Sequence, residues 1–314
     1  MEDGLVQLFG DLTVMPEKVH RYFEEQAMSA LWASRLSQML PEDIHVLTHH
    51  STMIVMRPDL AALRRTEYCL SWLSSRDFTM TFAAEIDLSE ICERMWRFQW
   101  NALNPGTVYL AKLLYSVAPC LLILLRQSSC DGLPAAVRLS KAKGASNPAE
   151  RIGENLRDAL GSPSKILALI HSPDEPIDLL RELALLGSKN PHLNIQHGHD
   201  IAKRPAQQFV DIALGWQESI APCAFDQKKT LNRLEEGFKV ADCDHPLGEI
   251  SLISASLRAG KKVEWMGTRK VLRGAGLGLD TWDELVIGGL FADTGTAERK
   301  LIGSPDYSLW ERRT

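Results

Sequence analysis

The stretch that decides the fold covers residues 144–186 and reads GASNPAERIGENLRDALGSPSKILALIHSPDEPIDLLRELALL. A polar segment carrying Arg157 precedes the apolar run 166–170, which we predict to be a short buried strand. The strand ends at His171, and His171-Ser-Pro-Asp174 opens an amphipathic helix. A histidine placed beside arginine, serine hydroxyls and helix amide groups indicates phosphate chemistry rather than packing.

Upstream of this stretch, short apolar segments alternate with helical patterns. Residues 52–56, 78–86 and 120–125 have the composition of strands, and Pro58 blocks continuation of the first. Residues 135–143 form a basic helix. The order of elements predicts an α+β protein with a split β-α-β arrangement, in which an antiparallel sheet is backed by helices.

Helical patterns flank this region on both sides. Residues 1–50 contain helices that either dock on another surface or help to close over a substrate. Beyond residue 186 we predict helices at 205–220, 225–240, 248–257, 267–274 and 281–290. The predicted organisation is an N-terminal helical extension (1–50), a central domain (51–190) and a mainly helical C-terminal region (191–314).

The composition is that of a folded protein: 314 residues, 45% hydrophobic, with a formal net charge of −5. This charge disfavours nucleic acid as the main partner. The six cysteines show no zinc-ligand spacing, so we expect reduced thiols. With no apolar run of membrane-spanning length and no signal segment, we expect a cytoplasmic protein without membrane association.

Three short motifs follow the predicted strands. They are Arg57-Pro-Asp59, Gly144-Ala-Ser146-Asn-Pro148 with Arg157 nine positions later, and Ala168-Leu-Ile-His171-Ser-Pro-Asp174 with Glu182 eleven positions after the histidine. In type and spacing they resemble the motifs of the nucleoside diphosphate kinases, and residues 52–186 look like a divergent member of that family. The resemblance implies a ferredoxin-like fold and a histidine that is transiently phosphorylated.

The family's site residues carry over onto these motifs. The resemblance implies that His171 is the nucleophile and that Glu182 holds its imidazole ring. It also implies phosphate or nucleotide contacts from a second group of residues, namely Arg57, Ser146, Arg157 and Asp174. A competing match, Asn-Ile-Gln-His197-Gly-His199-Asp, fits the local signature well. It lacks a preceding apolar strand and has glutamine eleven positions on, so we favour His171.

The chain also departs from the family pattern. The family's second arginine corresponds to Ser140, for which Arg138 and Lys141 are the candidate substitutes. Ala168 replaces an asparagine that contacts the sugar, and Pro173 replaces a serine that orients the glutamate. The resemblance therefore implies retained phosphate chemistry with altered nucleoside recognition.

An aromatic segment at residues 95–101 reads MWRFQWN. It is either hydrophobic core or a platform on which a flat ring stacks, and Gln99 and Asn101 are polar residues that core helices rarely carry. The family's aromatic platform does not align cleanly here, and Phe98 and Tyr109 are the candidates for its place.

The function implied is that of a phosphotransferase that uses ATP or another nucleoside triphosphate, with Mg²⁺, through a phosphohistidine, and that has altered acceptor specificity. The implied partners are a nucleotide and a small-molecule acceptor, and a homo-oligomer is possible. Two alternatives stay open. One is a nucleotide-binding or scaffold protein without turnover, and the other is a nucleotide-dependent enzyme of another class on the same fold.

Overall fold

The fold is built around a four-stranded antiparallel sheet. A computed structural model describes residues 2–34, 36–127, 132–188, 206–240, 247–295 and 299–313. The strands are β1 (Ser51–Met56), β2 (Phe78–Ile86), β3 (Cys120–Gln127) and β4 (Ile170–His171). Their order in the sheet is β2-β3-β1-β4, and every neighbouring pair is antiparallel. An antiparallel sheet backed by helices was predicted, and this order is consistent with a ferredoxin-like arrangement.

The central strand β1 is buried along its whole length. Ile54 and Met56 belong to one hydrophobic cluster, whereas Met53 and Val55 belong to another. Because successive side chains of a strand point to opposite faces, the two clusters lie on the two faces of the sheet. Helices on both faces explain why this strand is a continuous apolar run rather than an alternating one.

Helices of the central region connect the strands. They are α5 (Pro58–Ala62), α6 (Thr66–Ser74), α7 (Cys92–Met95), α8 (Arg97–Trp100), α9 (Pro105–Tyr115), α10 (Ala135–Lys143), α11 (Leu156–Leu160) and α12 (Pro176–Gly187). Helix α12 follows β4 directly, as the sequence predicts. It begins with a capping box, in which Glu175 accepts a hydrogen bond from the third helical residue and Asp178 accepts one from Glu175.

The N-terminal extension is helical, as predicted. Its helices are α1 (Glu2–Asp11), α2 (Pro16–Phe23), α3 (Gln26–Ser34) and α4 (Pro41–His50), with a 3₁₀ turn at Leu36–Gln38. Leu12, Tyr22 and Met28 share a hydrophobic cluster with Leu179 and Leu180 of α12. The extension therefore packs on the helix that carries Glu182.

The described C-terminal residues are mainly helical, again as predicted. The helices are α13 (Ala206–Glu218), α14 (Gln227–Val240), α15 (Leu247–Arg258), α16 (Trp265–Gly274), α17 (Thr281–Phe291) and α18 (Ser308–Glu311). Trp216, Trp265 and Leu285 share a cluster with Ile54 of β1. Both extensions therefore contribute to the cores of the sheet, and the boundaries near residues 50 and 190 stay predictions.

The apolar run 166–170 is not the continuous strand that we expected. Only Ile170 and His171 pair with β1, and Leu169 has a left-handed backbone with φ of 65°. The Leu169 amide donates to the Asp59 carboxylate at 3.0 Å, and the Leu169 carbonyl accepts from the Arg57 amide at 3.0 Å. Side chains and a neighbouring loop thus satisfy the buried backbone groups that a strand would pair in a ladder.

None of the helices in the described ranges is long and apolar enough to cross a membrane. The described cysteines, Cys69, Cys92, Cys120 and Cys223, form no disulfide.

Candidate active site

A cavity of about 580 Å³ opens beside the end of β4. Its wall comes from the end of β1, the helices α7 to α10, the segment 144–170, α12 and the C-terminal segment 299–313. The predicted site residues in this wall are Arg57, Lys141, Ser146, Arg157, His171, Asp174 and Glu182. The fold therefore brings together residues that are far apart in the sequence.

His171 and Glu182 form a close pair in this wall. His171 Nε2 lies 3.0 and 2.9 Å from the two carboxylate oxygens of Glu182. The His171 side chain is 18% exposed and that of Glu182 7% exposed, so the pair is shielded but still reachable. A neutral imidazole must carry its proton on Nε2 to donate to this carboxylate, which leaves the lone pair on Nδ1. Nδ1 has no hydrogen-bonding partner among the described residues.

Local structure explains how these two side chains meet. His171 is paired with Val55 at the end of the sheet, and the chain then turns into α12. Glu182 lies in the second turn of that helix. The Trp96 ring packs edge-on against the imidazole, with 5.2 Å between ring centroids. The end of a strand, a turn and nearly two turns of helix thus bring into contact two side chains that are eleven positions apart in the sequence.

Arg157 holds backbone carbonyls in this structure. Its guanidinium donates to Ala168 O at 3.2 Å, to Ile170 O at 2.8 Å and to Gly144 O. Burial, reinforced by the nearby charge of Arg57, lowers the pKa of Arg157 to about 10. Arg157 therefore brings positive charge to the wall with no carboxylate partner in the described chain, and it fixes the segment that leads to His171.

Arg57 is more fully neutralised than Arg157. It donates to both Asp59 carboxylate oxygens, at 3.3 and 3.2 Å, and to Ile166 O. Its guanidinium also lies over the Tyr115 ring, 5.4 Å from the centroid. Burial alone would lower the pKa of Arg57, but the charge of Asp59 outweighs it and raises the pKa. The ion pair with Asp59 thus neutralises most of the positive charge that Arg57 would otherwise present to a ligand.

Lys143 is a cation in the wall that the sequence analysis missed. Its ammonium donates to Ser172 O at 2.6 Å, to Ser172 Oγ at 2.9 Å and to Asp174 Oδ1 at 2.9 Å. Burial and the charge of Arg157 lower the pKa of Lys143. Burial would raise the pKa of Asp174, but the charges of Lys143 and Lys18 hold it well below its usual range. The basic pattern of α10 was the available signal, although it did not show which lysine faces inward.

The candidate substitutes for the missing arginine have different positions. Lys141 lines the cavity and forms an exposed ion pair with Glu311. Arg138 is not part of the wall, and its guanidinium donates to Leu133 O at 3.3 Å at the start of α10. Five residues separate Arg138 from Lys143, which places them on different faces of the helix. Lys143 is thus the cation of α10 that reaches the interior.

The aromatic residues in the wall are Trp96, Trp100 and Tyr115. Trp96 stacks on Trp100 and on Tyr115, with centroid distances of 5.6 and 5.0 Å. Phe98 lies outside the wall and packs against Tyr22, because two residues along a helix turn the side chain to the opposite side. The segment therefore contributes Phe98 to the core and Trp96 and Trp100 to the cavity wall.

Tyr109 is also outside the cavity wall. It lies under the guanidinium of Arg269, 4.6 Å from its ring centroid. The face of α9 towards the cavity carries Thr107, Ala111 and Tyr115 at intervals of four residues. Tyr109 falls between these positions and so points towards the C-terminal helices.

The C-terminal segment contributes Lys300, Ser304 and Tyr307 to the cavity wall. Tyr307 Oη lies 2.7 Å from Ser140 Oγ, and Ser140 donates to Asp174. Nothing in the sequence motifs indicated that Tyr307 would reach the cavity wall. His197 and His199 lie outside the described residues.

Mg²⁺ has no set of protein ligands of its own in the described part of the chain, where no three His, Cys, Asp or Glu side chains are grouped to hold a metal ion. Asp174 and Asp178 are paired with lysines and Glu182 with His171, whereas Glu150 of the wall accepts a hydrogen bond from the Asn147 side-chain amide at 2.9 Å.

Fold and site together define an α+β protein with a histidine–glutamate pair in a partly cationic cavity. Neither the protein-family models nor the curated proteins contain a match to the sequence. Solved structures do match. An apo nucleoside diphosphate kinase from Encephalitozoon cuniculi has a TM-score of 0.37 and 15% identity, over 43% of this chain and 87% of that chain. A nucleoside diphosphate kinase family protein from Babesia bovis has a TM-score of 0.36 and 17% identity, over 45% and 90%. Similarity at this level does not bear on activity.

Proposed function

We propose that the chain is a phosphotransferase in which His171 accepts a phosphoryl group from a nucleoside triphosphate and passes it to a small-molecule acceptor. The observation that carries the proposal is the contact of both Glu182 oxygens with His171 Nε2. This contact leaves Nδ1 as the basic nitrogen, in a cavity large enough for a nucleotide.

In the first half-reaction, His171 Nδ1 attacks the γ-phosphorus. An N–P bond forms while the bond between that phosphorus and the bridging oxygen breaks, and its electron pair leaves with the nucleoside diphosphate. The imidazole gains positive charge, which the Glu182 carboxylate stabilises through Nε2–H. No separate base is needed, because Nδ1 already has a free lone pair.

In the second half-reaction, an oxygen of the acceptor attacks the same phosphorus. The N–P bond breaks, Nδ1 recovers its electron pair, and the proton of the acceptor hydroxyl passes to solvent. Both halves use one site, since the phosphoryl group remains on His171 between them.

Lys143 and Arg157 are the proposed partners of the transferred phosphoryl oxygens. Both line the cavity. The pKa of each is lowered by burial, so the contacts described above compensate only in part for the burial of its charge. A phosphate oxygen would replace a carbonyl as acceptor for one Arg157 donor, and charge-assisted hydrogen bonds to phosphate are the stronger kind. Ser146 and Lys141, at the same wall, are proposed to contact the rest of the phosphate chain.

A second candidate function is nucleotide binding without turnover. The observation that favours it is the engagement of both arginines: Arg57 is paired with Asp59, and Arg157 is bound to three carbonyls. If these contacts persist with nucleotide bound, the transferred group lacks the charge that speeds its transfer.

Labelling with ATP that carries a labelled γ-phosphate separates the two candidates. A phosphohistidine gives a label that is lost in acid and kept in alkali. We expect this label in the wild-type chain and in His20→Ala, a matched change of an exposed histidine, and we expect none in His171→Ala. A label that persists in His171→Ala, or nucleotide binding with no label in the wild type, would refute the phosphohistidine. Release of pyrophosphate would instead indicate a nucleotide-dependent enzyme of another class.

A further inference from the structure

Gln99 has an unpaired carboxamide beside the tryptophans of the cavity. It lines the same wall as Trp96 and Trp100, and the three residues occupy positions i, i+3 and i+4, so they share one side of the helical segment. Gln99 Oε1 is buried and has no hydrogen-bond partner, and the Gln99 amide nitrogen makes no hydrogen bond within the described residues either.

Gln127 Oε1 is also buried without a partner, but the Gln127 amide nitrogen donates to Arg76 O at 3.3 Å. Two other amides use their oxygens. Gln217 accepts from the Thr66 amide at 3.3 Å. Asn101, the other polar residue of the aromatic segment, donates to Arg299 O at 3.2 Å and accepts from the Leu301 amide at 3.1 Å. Asn101 therefore has a structural role in holding the C-terminal segment. Gln99 has none that the described contacts show.

A buried acceptor without a donor is unfavourable, and a bound ligand or an ordered water is what completes its hydrogen bonding. The neighbouring surface shows what kind of ligand fits. Trp96 is stacked against both Trp100 and Tyr115, whereas Trp100 is only partly buried and borders the cavity, so Trp100 is the ring on which a flat group can stack. The Gln99 carboxamide lies on the same side of the helical segment as Trp100, so it would meet the edge of a ring that stacks on Trp100.

We propose that Gln99 recognises the edge of a purine that stacks on Trp100, and that it selects an edge with a donor next to an acceptor. A carboxamide presents one donor and one acceptor side by side, which matches the amino group and N7 of adenine. Guanine presents two acceptors at that edge, and so it leaves the Gln99 oxygen unpaired. The inference rests on the proposed function, because it concerns the nucleotide of the same cavity.

The test is equilibrium binding of Mg-ATP, Mg-GTP and inorganic tripolyphosphate to the full chain. We expect the wild type to bind ATP more tightly than GTP by roughly 5- to 150-fold, the discrimination that one bidentate amide–adenine pair provides. Gln99→Leu should lose most of this ratio and keep its affinity for tripolyphosphate, which has no base. Gln207→Leu, a change of an exposed glutamine on α13, should behave as the wild type does.

Equal affinity of the wild type for ATP and GTP, or a preference for GTP, would overturn the proposal without any variant. A ratio that survives in Gln99→Leu would also overturn it. Labelling of His171 distinguishes this failure from failure of the proposed function. Equal labelling by both nucleotides at concentrations well below saturation refutes base selection and leaves phosphotransfer standing. ATP-selective binding without labelling supports base selection and refutes phosphotransfer.

Discussion

Lys18 is the residue whose removal should most reveal how the N-terminal extension is held. Its side chain is 2% exposed, and its ammonium lies 2.8 Å from Glu175 and 2.6 Å from Asp178. Tyr22 donates to Asp178 at 2.6 Å, and the Trp310 indole donates to Glu175 at 2.8 Å. One buried network thus joins α2, the start of α12 and the C-terminal segment.

The variant Lys18→Met keeps most of the side-chain volume and removes the charge. It leaves two carboxylates facing each other near the start of α12, and breaking a buried ion pair by removing one partner costs about 3–5 kcal/mol. In the wild type, burial would lower the pKa of Lys18, but Asp178 and Glu175 outweigh it and raise the pKa. A raised lysine pKa contributes stability below the ordinary value of about 10.4, and this stability is lost only as pH rises through the folded pKa.

The assay is urea denaturation followed by tryptophan fluorescence and circular dichroism. Lys112→Met is the matched control, because Lys112 is 46% exposed and pairs with the exposed Glu93. We expect the control to lose less than about 1 kcal/mol. A loss in Lys18→Met no larger than that of the control would refute the buried network as a stabilising element.

Three further changes test the cavity wall. Glu182→Gln should slow labelling of His171 on the order of 100-fold in single-turnover measurements, because an amide neither fixes the tautomer nor stabilises the imidazolium; an unchanged rate would contradict this role. In the wild type, affinity for tripolyphosphate should fall as pH rises, at a pH below the pKa of an ordinary lysine, because burial lowers the pKa of Lys143. Lys143→Arg should keep its affinity over the same pH range, and parallel pH profiles of the two proteins would argue against Lys143 as the titrating group. Arg157→Met should cost roughly 3 kcal/mol in urea denaturation, about 1 kcal/mol for each of the three carbonyls it binds; a neutral effect would mean that these contacts are not stabilising.

Much of the fold could be predicted because its signals are local. Strand β2 and helix α10 have the predicted limits, Phe78–Ile86 and Ala135–Lys143, and the predicted helices of the C-terminal region are found within a few residues. The run 166–170 failed for a physical reason. An apolar run reports burial, and here the backbone groups are satisfied by Asp59 and Arg157 rather than by a ladder.

The sequence by itself determined that His171 and Glu182 can meet. They are eleven positions apart, and a strand end, a turn and a helix span that interval with fixed rise and pitch. Tertiary structure alone decided what surrounds the pair. Lys143 meets Asp174 across 31 residues, and Tyr307 meets Ser140 across 167. Side chains of α8 and α9 face the cavity or the core according to how those helices pack. Such contacts depend on distant segments that share no local pattern, so only the folded chain shows which charges, rings and amides reach the cavity.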